Sequence, residues 1–156
     1  MLARRRIARW VAAALALAAA FTWAPGDPRP GAVSASGVSY RVVINPANPV
    51  TEVDRKFLAD VFLKKITRWE SGESVRPVDL RPDATARQQF SDEVLRRSVG
   101  AVKAYWQQLV FSGRDVPPPE VDTDEQVIRY VLRFTGGVGY VSGAANLDRV
   151  KPISIK

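Results

Sequence analysis

Residues 40–62 read YRVVINPANPVTEVDRKFLADVF. The first five, Tyr40 to Ile44, are aromatic or β-branched apart from Arg41, a composition that favours an extended strand. The run Asn45 to Pro49 (NPANP) ends it with turn residues. Beyond Thr51 the apolar period changes: Val53, Phe57, Leu58, Val61 and Phe62 recur at helical spacing and make one apolar face. Thr51, with Asp54 three residues on, reads as a capping-box-like helix start, and Lys64 or Lys65 places positive charge at the carbonyl end. A strand, a proline-rich break and an amphipathic helix open a layered α/β or α+β domain.

The rest of the chain extends this beginning. Arg68 to Glu73 turns around Gly72, and Val75 to Leu80 (VRPVDL) reads as a second strand, at an edge because of Pro77. A second helix opens at Pro82 or Asp83 and runs to about Arg97, with Phe90 and Val94 inward and Gly100 as a break. Val102, Trp106, Leu109 and Val110 mark a third helix. Residues 112–121 form an irregular loop, since three successive prolines cannot continue a helix. Thr123 and Gln126 make a capping box ahead of Val127, Ile128, Val131 and Leu132. Gly136 and Gly137 stop that helix, and strands follow at 138–142 and 150–155. The expected order is β-α-β-α-α-α-β-β.

Before residue 36 the composition is different. Residues 1–24 place Arg4, Arg5, Arg6 and Arg9 ahead of an apolar run from Trp10 to Trp23, the order of a secretory signal. The run is shorter than the ~20 residues a spanning helix needs. Two cleavage points fit, after Ala24 or after Ala35; retained, the segment is an N-terminal membrane anchor. The paired arginines raise a twin-arginine export route. Residues 25–37 (PGDPRPGAVSASG) read as a linker. The expected organisation is a signal and linker over 1–35, a folded domain over 38–156, and a periplasmic or otherwise exported location.

The net charge of +7 belongs mostly to this leader: five arginines precede residue 36 against Asp27 alone, leaving 18 basic and 15 acidic residues beyond it. The high pI is therefore no nucleic-acid signal, though the small remainder favours anionic partners. Cys and His are absent. That excludes disulfides, thiolate metal sites and the Ser-His and Cys-His catalytic sets, and an enzyme is not expected. The run Gly136 to Gly139 (GGVG) has the wrong spacing for a dinucleotide fingerprint. The acids Glu120, Asp122, Asp124 and Glu125 lack calcium-loop spacing and suit a solvated helix start. No cofactor and no metal is expected.

Four segments, in order, resemble the phosphate-binding proteins of ABC transporters. Ala59 to Gly72 (ADVFLKKITRWESG) is similar to the family's helix end followed by Trp and Gly. Val78 to Phe90 (VDLRPDATARQQF) falls where the family carries its Arg-Ser-Asp-Gly-Ser-Gly-Thr phosphate loop. Trp106 with Phe111 to Pro118 (FSGRDVPP), and Gly136 to Val141 (GGVGYV), are similar to later stretches. The resemblance implies an α/β lobe of the periplasmic-binding-protein type, a mixed sheet flanked by about four helices. It implies one lobe only, where the full proteins close two lobes on their ligand.

Carried over residue by residue, the loop implies a ligand site at Arg81, Asp83, Thr85 and Arg87, with Pro82, Ala84 and Ala86 replacing one Ser and two Gly. The chemistry fits an oxyanion: free N–H groups at a helix start, a guanidinium fork and a hydroxyl. Two readings stand side by side. In one the site binds phosphate or a similar oxyanion. In the other Asp83 caps the helix, the arginines are solvated, and the lobe is a module that binds an envelope protein or transporter components. The alanines restrict close approach and favour the second. Asn45 and Thr51 also lie where the family's first turn faces the ligand, although capping is the commoner role for Thr51. Trp69 and Trp106 read as core.

Overall fold

Val42, Val43 and Ile44 are almost fully buried, because β1 (Tyr40–Ile44) is the middle strand of a five-stranded sheet. The computed structural model describes residues 40–156; the leader and linker expected over 1–35 lie outside these residues. In chain order β1 is followed by β2 (Glu52–Val53), α1 (Arg55–Phe62), β3 (Arg76–Pro77), β4 (Asp79–Leu80), α2 (Thr85–Phe90) and α3 (Val99–Phe111). Then come β5 (Glu120–Val121), α4 (Asp124–Arg133), β6 (Gly137–Ser142) and β7 (Lys151–Ile155). The large sheet runs β2-β7-β1-β6-β3, and β4 pairs with β5 in a second, two-stranded sheet. β1 is antiparallel to β6 and β7, while β2 and β3 lie parallel to their neighbours. This is the mixed α/β architecture expected, with four α-helices among the described residues.

β6 is buried along nearly its whole length, and its alternation explains why. Successive strand residues face opposite sides of a sheet. A Cβ on Gly139 would meet Val127 Cγ1 of α4 at 2.6 Å, whereas the next ring, Tyr140, stacks on Phe90 of α2 with centroids 4.0 Å apart and planes at 9°. Helices therefore cover both faces of β6. Phe62 of α1 joins the second face, 4.7 Å from Phe90. Trp69 and Trp106 are buried as expected, and the Trp69 indole donates to the Gly136 carbonyl at 3.1 Å.

Several boundaries differ from the sequence reading. Asp54, not Thr51, caps α1, accepting from the Lys56 N–H at 2.7 Å. Thr51 instead sits just before β2, its carbonyl accepting from Ser154 N–H of β7. The single strand expected over 75–80 is two. Val78 N–H still donates to Val138 of β6, but Asp79 and Arg81 N–H turn to Pro119 and Val121, so the chain changes partner after Val78. α2 is short and continues as a π-helical turn over Ser91–Leu95 that ends at Arg96, in the left-handed region with φ 54°. Ser98 then caps α3, accepting from Ala101 N–H at 3.2 Å, and Gly100 lies inside that helix rather than breaking it. The Thr123–Gln126 capping box is present as expected.

Candidate functional site

Two residues before the loop 81–84, Asp79 is buried, and two residues into α2 its partner Arg87 is buried too. They form an ion pair, and the Tyr140 hydroxyl donates to Asp79 Oδ1. The same hydroxyl accepts from Arg87 Nη1 and from Leu80 N–H, each at 3.3 Å. Burial pushes the Tyr140 phenol above its ordinary pKa, so it stays a neutral donor. One ring from β6 thus ties together the strand that enters the loop and the helix that leaves it. These bonds tie the strand to the helix across the loop, although among the described residues Arg87 Nε is buried without a hydrogen-bond partner, so the low-dielectric network is satisfied only in part.

The loop itself is a tight turn closed by Ala84 N–H on the Arg81 carbonyl at 3.1 Å. Arg81 and Asp83 are exposed and pair with each other, Nε to Oδ1 at 3.1 Å. Asp83 does not cap α2. The capping position is Ala84, with no side-chain bond to the helix, so the first N–H groups of α2 carry no side-chain cap and keep their partial positive charge. Thr85 is exposed at the first helical position, and Ala86 is buried, which turns that alanine methyl into the core and away from the open helix start. Of the four expected site residues the structure pairs Arg81 with Asp83 at the surface and leaves Thr85 exposed at the head of α2. Arg87 is spent on Asp79 and Tyr140, and its position in the core, not at the surface, corrects the picture of a solvated first-turn charge.

Asn45 also has another task. Its Nδ2 donates to the carbonyls of Val131 and Phe134, both at 3.1 Å, closing the end of α4. Asp124 of the acidic run accepts from Ser142 N–H at 3.0 Å, and among the described residues no group of acids is arranged to hold a metal. What the sequence reading missed is the Asp79–Arg87–Tyr140 network. The sole signal for it was a basic residue in an otherwise inward-facing stripe with Ala86 and Phe90.

Beside the loop a groove of about 330 Å³ is lined by Pro82 and Arg87 together with Trp106, Val110 and Phe111 of α3. Among the described residues no helix is long and apolar enough to cross a membrane.

No protein-family model and no curated protein matches the chain. Solved structures do. An ABC-type phosphate transport receptor from Vibrio cholerae superposes with a TM-score of 0.57 at 21% identity, over 75% of this chain and 46% of that one. A protein from Clostridium perfringens solved with bound phosphate gives 0.57 at 17% identity, over 76% and 46%. PstS from Borrelia burgdorferi gives 0.57 at 10% identity, over 76% and 47%. At these identities the likeness is one of fold: the described residues have the fold of part of a phosphate-type binding protein. The chain spans less than half the length of these proteins.

Proposed function

We propose that this chain is an exported solute-binding-type protein, without chemistry of its own, that recognises phosphate or a similar oxyanion at the start of α2. The observation that carries this reading is the helix start without a side-chain cap, which has exposed Thr85 at its first position and the exposed Arg81–Asp83 pair in the turn before it. Helix starts of this kind suit oxyanions through unpaired donors and the dipole. Arg81 supplies a planar fork, and Asp83 holds that fork in place and accepts a hydrogen bond from the hydroxyl of a monoprotonated phosphate. Buried Arg87 contributes by bracing the loop. The fold shared with phosphate transport receptors supports the ligand class. A second reading, an envelope interaction module that binds no solute, is favoured by one observation: Phe111 stands 89% exposed beside the groove.

The test is a phosphate titration followed by amide chemical shifts. Saturating shifts at Thr85, Ala86 and Arg87, lost in Arg81→Ala, are expected. Shifts scattered over the surface in proportion to ionic strength, and equal in Arg81→Ala, would overturn the site.

A further inference from the structure

α3 is apolar on more sides than this lobe covers. Val102 and Trp106 pack inward, while Val110 and Phe111 line the groove together with Pro82 and Pro117. Among the described residues the large hydrophobics that stand out are Val110 at 48% exposure, Phe111 at 89% and Val116 at 59%, and they lie within seven residues of one another in the chain. A helix apolar on both sides is normally covered on both, and Val110 and Phe111, neighbours on α3 that line one groove, make an exposed apolar patch of the kind that marks an interaction surface.

The charges on the groove say what covers it. Lys103 stands on the α3 wall and Glu120 on the β5 wall, and neither belongs to an ion pair among the described residues. Arg87 also lines the groove but is already paired with Asp79, so one unpaired cation and one unpaired anion flank an apolar hole that has an apolar knob, Phe111, at its rim. A surface that carries both halves of a knob-and-hole contact and both halves of an ion pair is complementary to itself, which is the condition for a two-fold interface. A partner of one charge would leave Lys103 or Glu120 facing its own sign. We propose that this face binds a second copy of the chain: each Phe111 enters the partner's groove, and each Lys103 meets the partner's Glu120. Pro82 belongs both to the groove and to the loop at the start of α2, so the second copy also walls one side of that loop; this last consequence, unlike the dimer, rests on the proposed oxyanion site.

The absence of cysteine makes the test direct. Single cysteines are placed in the full chain at Val110→Cys, in the groove, and at Arg129→Cys, exposed on α4, and each protein is treated with a short bismaleimide. The proposal expects covalent dimers from Val110→Cys well above those from Arg129→Cys, a contrast that association through the apolar leader would not produce. Sedimentation equilibrium then reads the charges. Lys103→Glu weakens self-association at least about tenfold, since like charges face each other twice in the interface, and Lys103→Glu combined with Glu120→Lys restores it. These positions are exposed, so folding is not at stake. Equal cross-linking at the two cysteines, a monomer at submillimolar concentration, or a double reversal no better than the single one would each overturn the proposal, and none of these results bears on phosphate binding.

Discussion

Tyr140 decides more than its place in a strand indicates. Its hydroxyl bridges Asp79 and Arg87, and removing one member of a buried ion pair strands the other. Arg87→Met should cost about 3–5 kcal/mol in urea unfolding, and adding Asp79→Leu should recover most of it, because an apolar pair replaces a buried ionic one with little loss. A single-variant cost near zero would mean the network does not brace the loop. The same residue gives a pH dependence. Burial raises the phenols of Tyr140 and Tyr40, the latter helped by its bond to Glu93. The folded state therefore keeps protons that the unfolded chain releases near pH 10, so this stability is complete below about pH 10 and is lost as pH rises further. Unfolding midpoints should fall above that pH, and less steeply in Tyr40→Phe. None of this was legible from the residues alone. Arg87 follows a loop that looks made for anions, and its true partner is buried only because the chain changes sheets at Asp79.

The elements divide by how local their signals are. α4 was legible, since Thr123, Gln126 and the apolar pairs at Val127 and Val131 state its start and its face within ten residues. Thr123→Ala should lower stability by about 1 kcal/mol through loss of that cap, measurable by thermal unfolding. β1 was legible for the same reason. The start of α1 was not: Thr51 and Asp54 are both good caps, and pairing of Glu52 and Val53 with β7, a hundred residues away, settles the choice. The division of 75–80 between two sheets and the π-helical turn after Phe90 are likewise set by distant partners. β6 has no slack on its α4 face. Gly139→Ala should cost about 1–3 kcal/mol by overpacking Val127 and Val78, and a near-neutral result in the same unfolding assay would show that α4 can move off the sheet.

At the scale of the whole molecule, the described lobe has the fold of somewhat less than half of a phosphate transport receptor. The alternation of strands and helices made that architecture readable, because it depends on the order of elements and not on their exact ends. For the loop, the residues alone show Arg81, Asp83 and Thr85 close in sequence at the start of α2; they could not say that Asp83 leaves the helix uncapped and pairs with Arg81 instead. The central claim is that this open helix start holds an oxyanion. Calorimetric titration of phosphate into the full chain, with sulfate and Arg81→Ala in parallel, tests it most directly. The account predicts saturable heat with phosphate that Arg81→Ala abolishes; a folded protein that gives no heat at millimolar phosphate would contradict it.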